Sequence, residues 1–270
     1  MAVKVGMVSV PTTVLRRGPH PHEAHADFAA MQRYLDEEPM RVWARYVKPL
    51  RGEIIRAIAG KVVGMTDAEL RSVPPPRNHF GKLSDAVYPG LLESYMVGRR
   101  SVRGERKRQL AAKAEGDDED EDVQPSPSQR SWVKSLAGLF ATTFLGALGV
   151  EAVRVAGNAR NAEVDKAEER RTIERALEAL SIPRQQQALA GRVTQAFTNG
   201  RNEQAMSAKG EIETAYYSAI MDLNTCEVCE PLDGAEHEPG DETYATPNPE
   251  CLGGENCRCA TIYVFKEEAA

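Results

Sequence analysis

All five cysteines of this 270-residue chain fall between positions 226 and 259, and the 225 residues before them contain none. They read Cys226-Glu-Val-Cys229, then a stretch rich in glycine, proline and acidic residues, then Cys251-Leu-Gly-Gly-Glu-Asn-Cys257-Arg258-Cys259. Chance would scatter five thiols along the chain, so their confinement assigns them one local task. A C-x2-C pair is a chelating knuckle, because a tight turn lets both thiolates reach one metal. A more distant group of thiols then closes the tetrahedron, and the metal staples a tail with little core of its own. The sequence predicts structural Zn2+ held by four of Cys226, Cys229, Cys251, Cys257 and Cys259. Cys226 and Cys229 form the first pair and Cys251 with Cys257 the next choice. If residues 257 to 265 form a strand, Cys257 and Cys259 face the same side and Cys259 can substitute for either.

Other thiol chemistry fits less well. The opening Met-Ala-Val-Lys-Val lacks a charged region followed by an apolar one, which points to a reducing cytoplasm where thiols prefer metal to disulfides. An odd count also leaves one thiol over. A redox C-x-x-C belongs before a helix in a βαβ unit, and no such pattern surrounds Cys226. Catalytic zinc needs an open coordination position and a nearby base, whereas five soft ligands close the shell. His237 reads as a solvated loop histidine, and His20, His22 and His25 lack zinc-protease spacing. No phosphate-binding loop, dinucleotide fingerprint or internal repeat is present. The expectation is a chain that is not an enzyme and has no catalytic residues. Arg258 is a second-shell or partner-facing cation beside an anionic thiolate cluster.

Charge narrows the partners. From Cys226 to Cys259 there are nine carboxylates and one base, Arg258, so this module repels nucleic acid. The opposite sign sits upstream, in Arg99, Arg100, Arg103, Arg106, Lys107, Arg108 and Lys113, opposed only by Glu105. These are candidate contacts for nucleic acid or an acidic partner, screened by the acidic run Glu115 to Asp122 that follows.

The chain divides into a flexible arm (1–24), an N-terminal helical region (25–112), an acidic disordered linker (113–130), a second helical stretch (131–225) and the cysteine-rich module (226–270). Apolar residues recur at helical spacing through Phe28, Met31 and Leu35, through Val42, Tyr46 and Leu50, and on to Ile58. Pro74-Pro75-Pro76 is a stiff connector. Further helices are expected over 84–109, over 131–180 as one long or once-broken element, and from Ser181 to a left-handed end at Asn199-Gly200. Ala260 to Phe265 reads as a short strand. Leu136 to Val150 is apolar but short for a membrane and suits a buried helix. The fold class is mainly α with a small zinc-stapled α+β C-terminal module.

The run Asn224-Thr225-Cys226-Glu-Val-Cys229-Glu-Pro-Leu232-Asp233-Gly234, then Pro247-Asn-Pro249-Glu-Cys251 and Asn256-Cys257-Arg258-Cys259, resembles the C-terminal signature of the phage head morphogenesis proteins. These are minor head proteins similar to the F protein of phage Mu. Upstream, Ala196-Phe197-Thr198-Asn199-Gly200-Arg201 resembles the family's helix and N-G-R turn. The likeness covers residues 130 to 270 and is most specific over 196 to 265. One departure is that Cys251 and a longer spacer replace the usual His-Pro before Asn-Cys-Arg-Cys; a thiolate can take the histidine's place at zinc. The resemblance implies a structural minor head (capsid) protein of a tailed bacteriophage, assembled in the host cytoplasm and carried in the virion head. It would associate with the portal protein, the major capsid protein or packaged DNA, and act in procapsid assembly, DNA packaging or genome delivery. The alternatives are a DNA-binding scaffold acting through residues 99–113 and a zinc-dependent, toxin-like effector.

Overall fold

The computed structural model describes residues 28–70, 77–110, 124–180, 182–219, 226–253 and 257–266. The expected arm, the triple proline, Lys113, the acidic run and Ser181 lie outside the described residues. The described fold is mainly helical, with a small C-terminal β-sheet region that contains the cysteine cluster.

Helix α1 (Phe28–Val42) passes through a π-helical segment, Trp43–Val47, into α2 (Lys48–Val62). A short α3 (Asp67–Leu70) precedes α4 (Arg77–Leu110), which is longer than its apolar pattern predicted. α5 (Pro127–Asn161) opens with a capping box: the Ser126 hydroxyl accepts from Gln129 N, and the Gln129 side chain accepts from Ser126 N. The long helix expected over 131–180 is broken once. α5 stops at Asn161, Glu163 takes a positive φ of 54°, and Asp165 starts α6 (Lys166–Ala179) by accepting from Ala167 N and Glu168 N. Arg51 of α2 donates to the carbonyls of Leu177 and Glu178 in the last turn of α6, where Leu177 also accepts from Leu180 N. α7 (Ile182–Ser207) completes the helices.

One core joins helices from both sides of the acidic run. Val47, Ile54, Leu83, Val87, Leu91, Phe140, Leu148, Ile173, Leu189 and Val193 are all within it. α6 buries Ile173 and Leu177 while its charges pair outside, as in Arg170–Glu174 and Arg171–Glu168. By length and composition α5 is the one described helix able to cross a membrane. Its Leu136, Phe140, Phe144 and Leu148 face the core, while Leu139 and Val150 are exposed.

The expected left-handed helix end at Asn199-Gly200 is corrected: α7 runs straight through to Ser207. Gly200 serves close approach instead. A Cβ there would lie 2.1 Å from the Tyr95 carbonyl oxygen of α4, and one on Gly98 of α4 would lie 2.0 Å from the Phe197 carbonyl oxygen. The two helices therefore cross backbone against backbone, which only glycine permits.

The sheet has the order β2-β1-β3, all antiparallel, with β1 (Ile212–Ser218), β2 (Glu236–His237) and β3 (Ala260–Phe265). It stands edge-on against the α4–α7 pair. Arg201 donates to the Thr261 carbonyl, Gln109 donates to the Tyr263 carbonyl, and Phe265 N donates to the Gln109 side chain. Side chains thus seal the outer edge of β3, which would otherwise present unpaired backbone.

Candidate metal centre

The site is built by two turns and the start of β3. Cys226 and Cys229 share a tight turn in which Cys229 N and Glu230 N both donate to the Cys226 carbonyl. The Leu232-Asp233-Gly234 segment then folds back onto β1. Asp233 Oδ1 accepts from Ala219 N, and Gly234, at φ 81°, donates to the Tyr217 carbonyl. This conformation favours glycine and returns the chain into β2. The second group of thiols arrives through Pro247-Asn248-Pro249 and the residues leading into β3.

All five cysteines are free, and they form two overlapping groups. The sulfurs of Cys226, Cys229 and Cys251 lie within 4.8 Å of one another, and so do those of Cys229, Cys257 and Cys259. Cys229 belongs to both. Cys226 and Cys251 Sγ are 3.6 Å apart, close to the edge of about 3.8 Å that a tetrahedron with metal–sulfur bonds near 2.3 Å requires. The cluster can therefore coordinate a metal ion.

Two features suit the sulfurs to ionisation. Asn248 N donates to Cys257 Sγ at 3.4 Å, and Asn248 Nδ2 donates to Cys229 Sγ at 3.6 Å. The sequence assigns Asn248 no role; its signal is its position between two prolines just before Cys251. The second feature is uneven charge. The hydrogen bond from Cys259, against burial, holds the Cys257 thiol down at about 5. Burial pushes Cys226 up, but hydrogen bonds with Cys229, the Leu252 backbone and Cys251 outweigh it and leave it at about 7. Burial raises Cys229 and Cys251, while the bond to Cys257 and then burial raise Cys259. Sulfurs this close cannot all ionise beside one another, and a divalent cation resolves that conflict.

The other predicted residues are dispersed. His237 sits on β2, stacked on Tyr244 at 4.8 Å with Nδ1 against the Glu238 carbonyl, and is in neither thiol group. It is buried, where the sequence suggested a solvated loop. Arg258 is 3.7 Å from Asp36 of α1. Within the basic cluster, Arg99 donates to Gln204, Arg100 pairs with Glu93 and Arg106 pairs with Glu211 at 2.6 Å. Arg103 is half-buried, and Lys107 and Arg108 are exposed. Glu105 does not oppose this cluster. It turns inward to Arg201, with contacts of 2.6 and 3.0 Å, and both side chains are almost fully buried.

Sequence reasoning missed the Arg201–Glu105 pair and its surroundings. Arg201 also donates to Ser101 Oγ and the Thr261 carbonyl. Next to it, Asn202 donates to the Thr246 carbonyl and accepts from the Tyr263 hydroxyl. α7 thereby fixes both the approach to the second thiol group and the strand that leaves it. No protein-family model matches this chain, and no curated protein or solved structure matches it either.

Proposed function

We propose that the chain is a structural minor head protein of a tailed bacteriophage, associated with the portal or the capsid interior and acting in procapsid assembly, DNA packaging or genome delivery. In this reading the cluster holds one structural Zn2+, a metal that suits soft thiolates in a closed tetrahedral shell. Cys226, Cys229, Cys251 and Cys257 are the four ligands we assign. Cys257 contacts both Cys229 and Cys251, whereas Cys259 is grouped only with Cys229 and Cys257 and lies against Tyr217. Bound zinc would cross-link the two turns and supply no reaction.

The observation that carries the reading is that the separated segments of the family signature meet in space. Gly200 makes the α4–α7 crossing, Arg201 grips the strand two residues past Cys259, and Asp233-Gly234 brings the knuckle back to β1. These four motif residues have architectural tasks, which fits an assembly protein. The test is quantitative mass spectrometry of procapsids and mature virions, with portal copies as internal standard. A reproducible low copy number relative to the major shell protein is expected. Absence from both particles would overturn the assignment to the head.

A further inference from the structure

The two edges of the small sheet are treated in opposite ways. That of β3 is sealed by Arg201 and Gln109. The other edge is formed by β2, which spans only Glu236 and His237 and pairs with Ala215 and Tyr216. Tyr217 N donates to the Ala235 carbonyl and Gly234 N donates to the Tyr217 carbonyl, so the backbone groups of Tyr217 point toward the β2 side. Strand alternation points those of Ala215 the same way, where they meet His237, and the register shift between Ile212 and Thr214 falls at Glu213. β2 ends opposite Ala215, which leaves the Glu213 end of β1 beyond its reach.

A cleft of about 460 Å³ opens at this edge, lined by Glu213, Thr214, Tyr216, Glu236, His237, Glu238 and Val264. The half-buried Tyr216 and Val264 give it an apolar floor, and the three glutamates at its rim are exposed. None of these glutamates has a cationic partner among the described residues. His237, only 9% exposed, also lines the cleft, and its Nε2 is buried without a hydrogen-bond partner.

We propose that this edge docks an extended, basic segment of a partner protein, added to the sheet beside β2 and β1. The open backbone would supply main-chain hydrogen bonds, the floor would take the apolar side chains on one face of the added strand, and the glutamates would take its lysines or arginines. Charge complementarity selects the occupant, since this module as a whole repels anions.

The test is fluorescence anisotropy of the full chain with a labelled eight-residue peptide alternating lysine and valine. Saturable binding is expected. The Glu213→Gln, Glu236→Gln, Glu238→Gln variant should weaken it by about tenfold, since exposed ion pairs each contribute a few-fold. Its circular dichroism should match the parent, because all three side chains are exposed. A peptide with proline at a central position should also bind several-fold more weakly, because it lacks an N–H for the ladder. Equal binding by the proline peptide would overturn the proposal in favour of plain charge attraction, and equal binding by the triple variant would place the site elsewhere. Binding only after removal of residues 1–24 would overturn the partner assignment and give the cleft to the chain's own basic N-terminal stretch, which holds Lys4, Arg16 and Arg17.

Discussion

The helical body and the cysteine module are held together by different physics. The body buries a continuous apolar core from Val42 to Ala196, to which all seven α-helices contribute. The module has a two-residue strand, an acidic loop and a small cluster of Tyr217, Ala219 and thiols. What the body does with area, the module does with single contacts: five sulfurs, one asparagine, one buried guanidinium. Losing one contact should therefore matter little in the body and a great deal in the module.

The largest expected effect comes from the proposed metal. Structural zinc contributes roughly 10–16 kcal/mol in small zinc domains. Excess chelator, or Cys229→Ser, should remove amide-exchange protection from β1, β2 and β3 while α2, α4 and α5 keep theirs. Acid should act in the same direction, since protons compete with metal for the thiolates. Uniform loss across the chain would break the comparison, because the body would then depend on the module.

Next comes the join between the regions. Arg201→Met leaves Glu105 buried without its cation and should cost about 3–5 kcal/mol in denaturant unfolding. Replacing Glu105 with leucine in the same chain should recover most of that loss, because two apolar groups need no partner. Failure to recover would show that the bond to the Thr261 carbonyl matters more than the ion pair.

Gly200→Ala tests the crossing itself. The added methyl meets the Tyr95 carbonyl, which belongs to a helix backbone and has little room to yield. A loss of about 1–3 kcal/mol is expected, read as a lower melting temperature. Gly146→Ala in α5, where nothing lies within 4 Å of the new methyl, should instead be neutral or slightly stabilising.

The smallest effect belongs to the basic cluster. Arg106→Gln, Lys107→Gln and Arg108→Gln together remove one exposed ion pair and two solvated charges, and should change stability by less than about 1 kcal/mol. A gel shift with duplex DNA, measured at two salt concentrations, checks whether the same variant alters nucleic-acid binding.

The sequence was legible where one residue type or one period carries the information. Five clustered thiols pointed to a metal-binding tail, apolar spacing pointed to helices, and Ala260 to Phe265 was read as the strand that the structure contains. Reading failed where meaning depends on a distant partner. Glycine 200 suits a left-handed helix end and a tight crossing equally well, and only Tyr95, about a hundred positions away, decides between them. Arg201 and Glu105 are 96 residues apart, and each alone looks like an ordinary surface charge. β1 lies inside the stretch 131–225 that was expected to be helical, because its alternating pattern acquires an inside and an outside only once β3 lies beside it. Which thiols close the shell was likewise open, since spacing fixes the knuckle and not the return of the chain.

α4 is 34 residues long and so spans about 50 Å as a single rod. Its first half is clamped into the body core through Leu83, Val87 and Leu91, and its last turns hold the sheet through Val102 and Gln109. Mechanically this makes it a strut. A pull along β3 loads the Arg201 and Gln109 bonds together in shear, so they resist collectively rather than yielding one at a time. Tension applied to β3 is passed along the rod into the body.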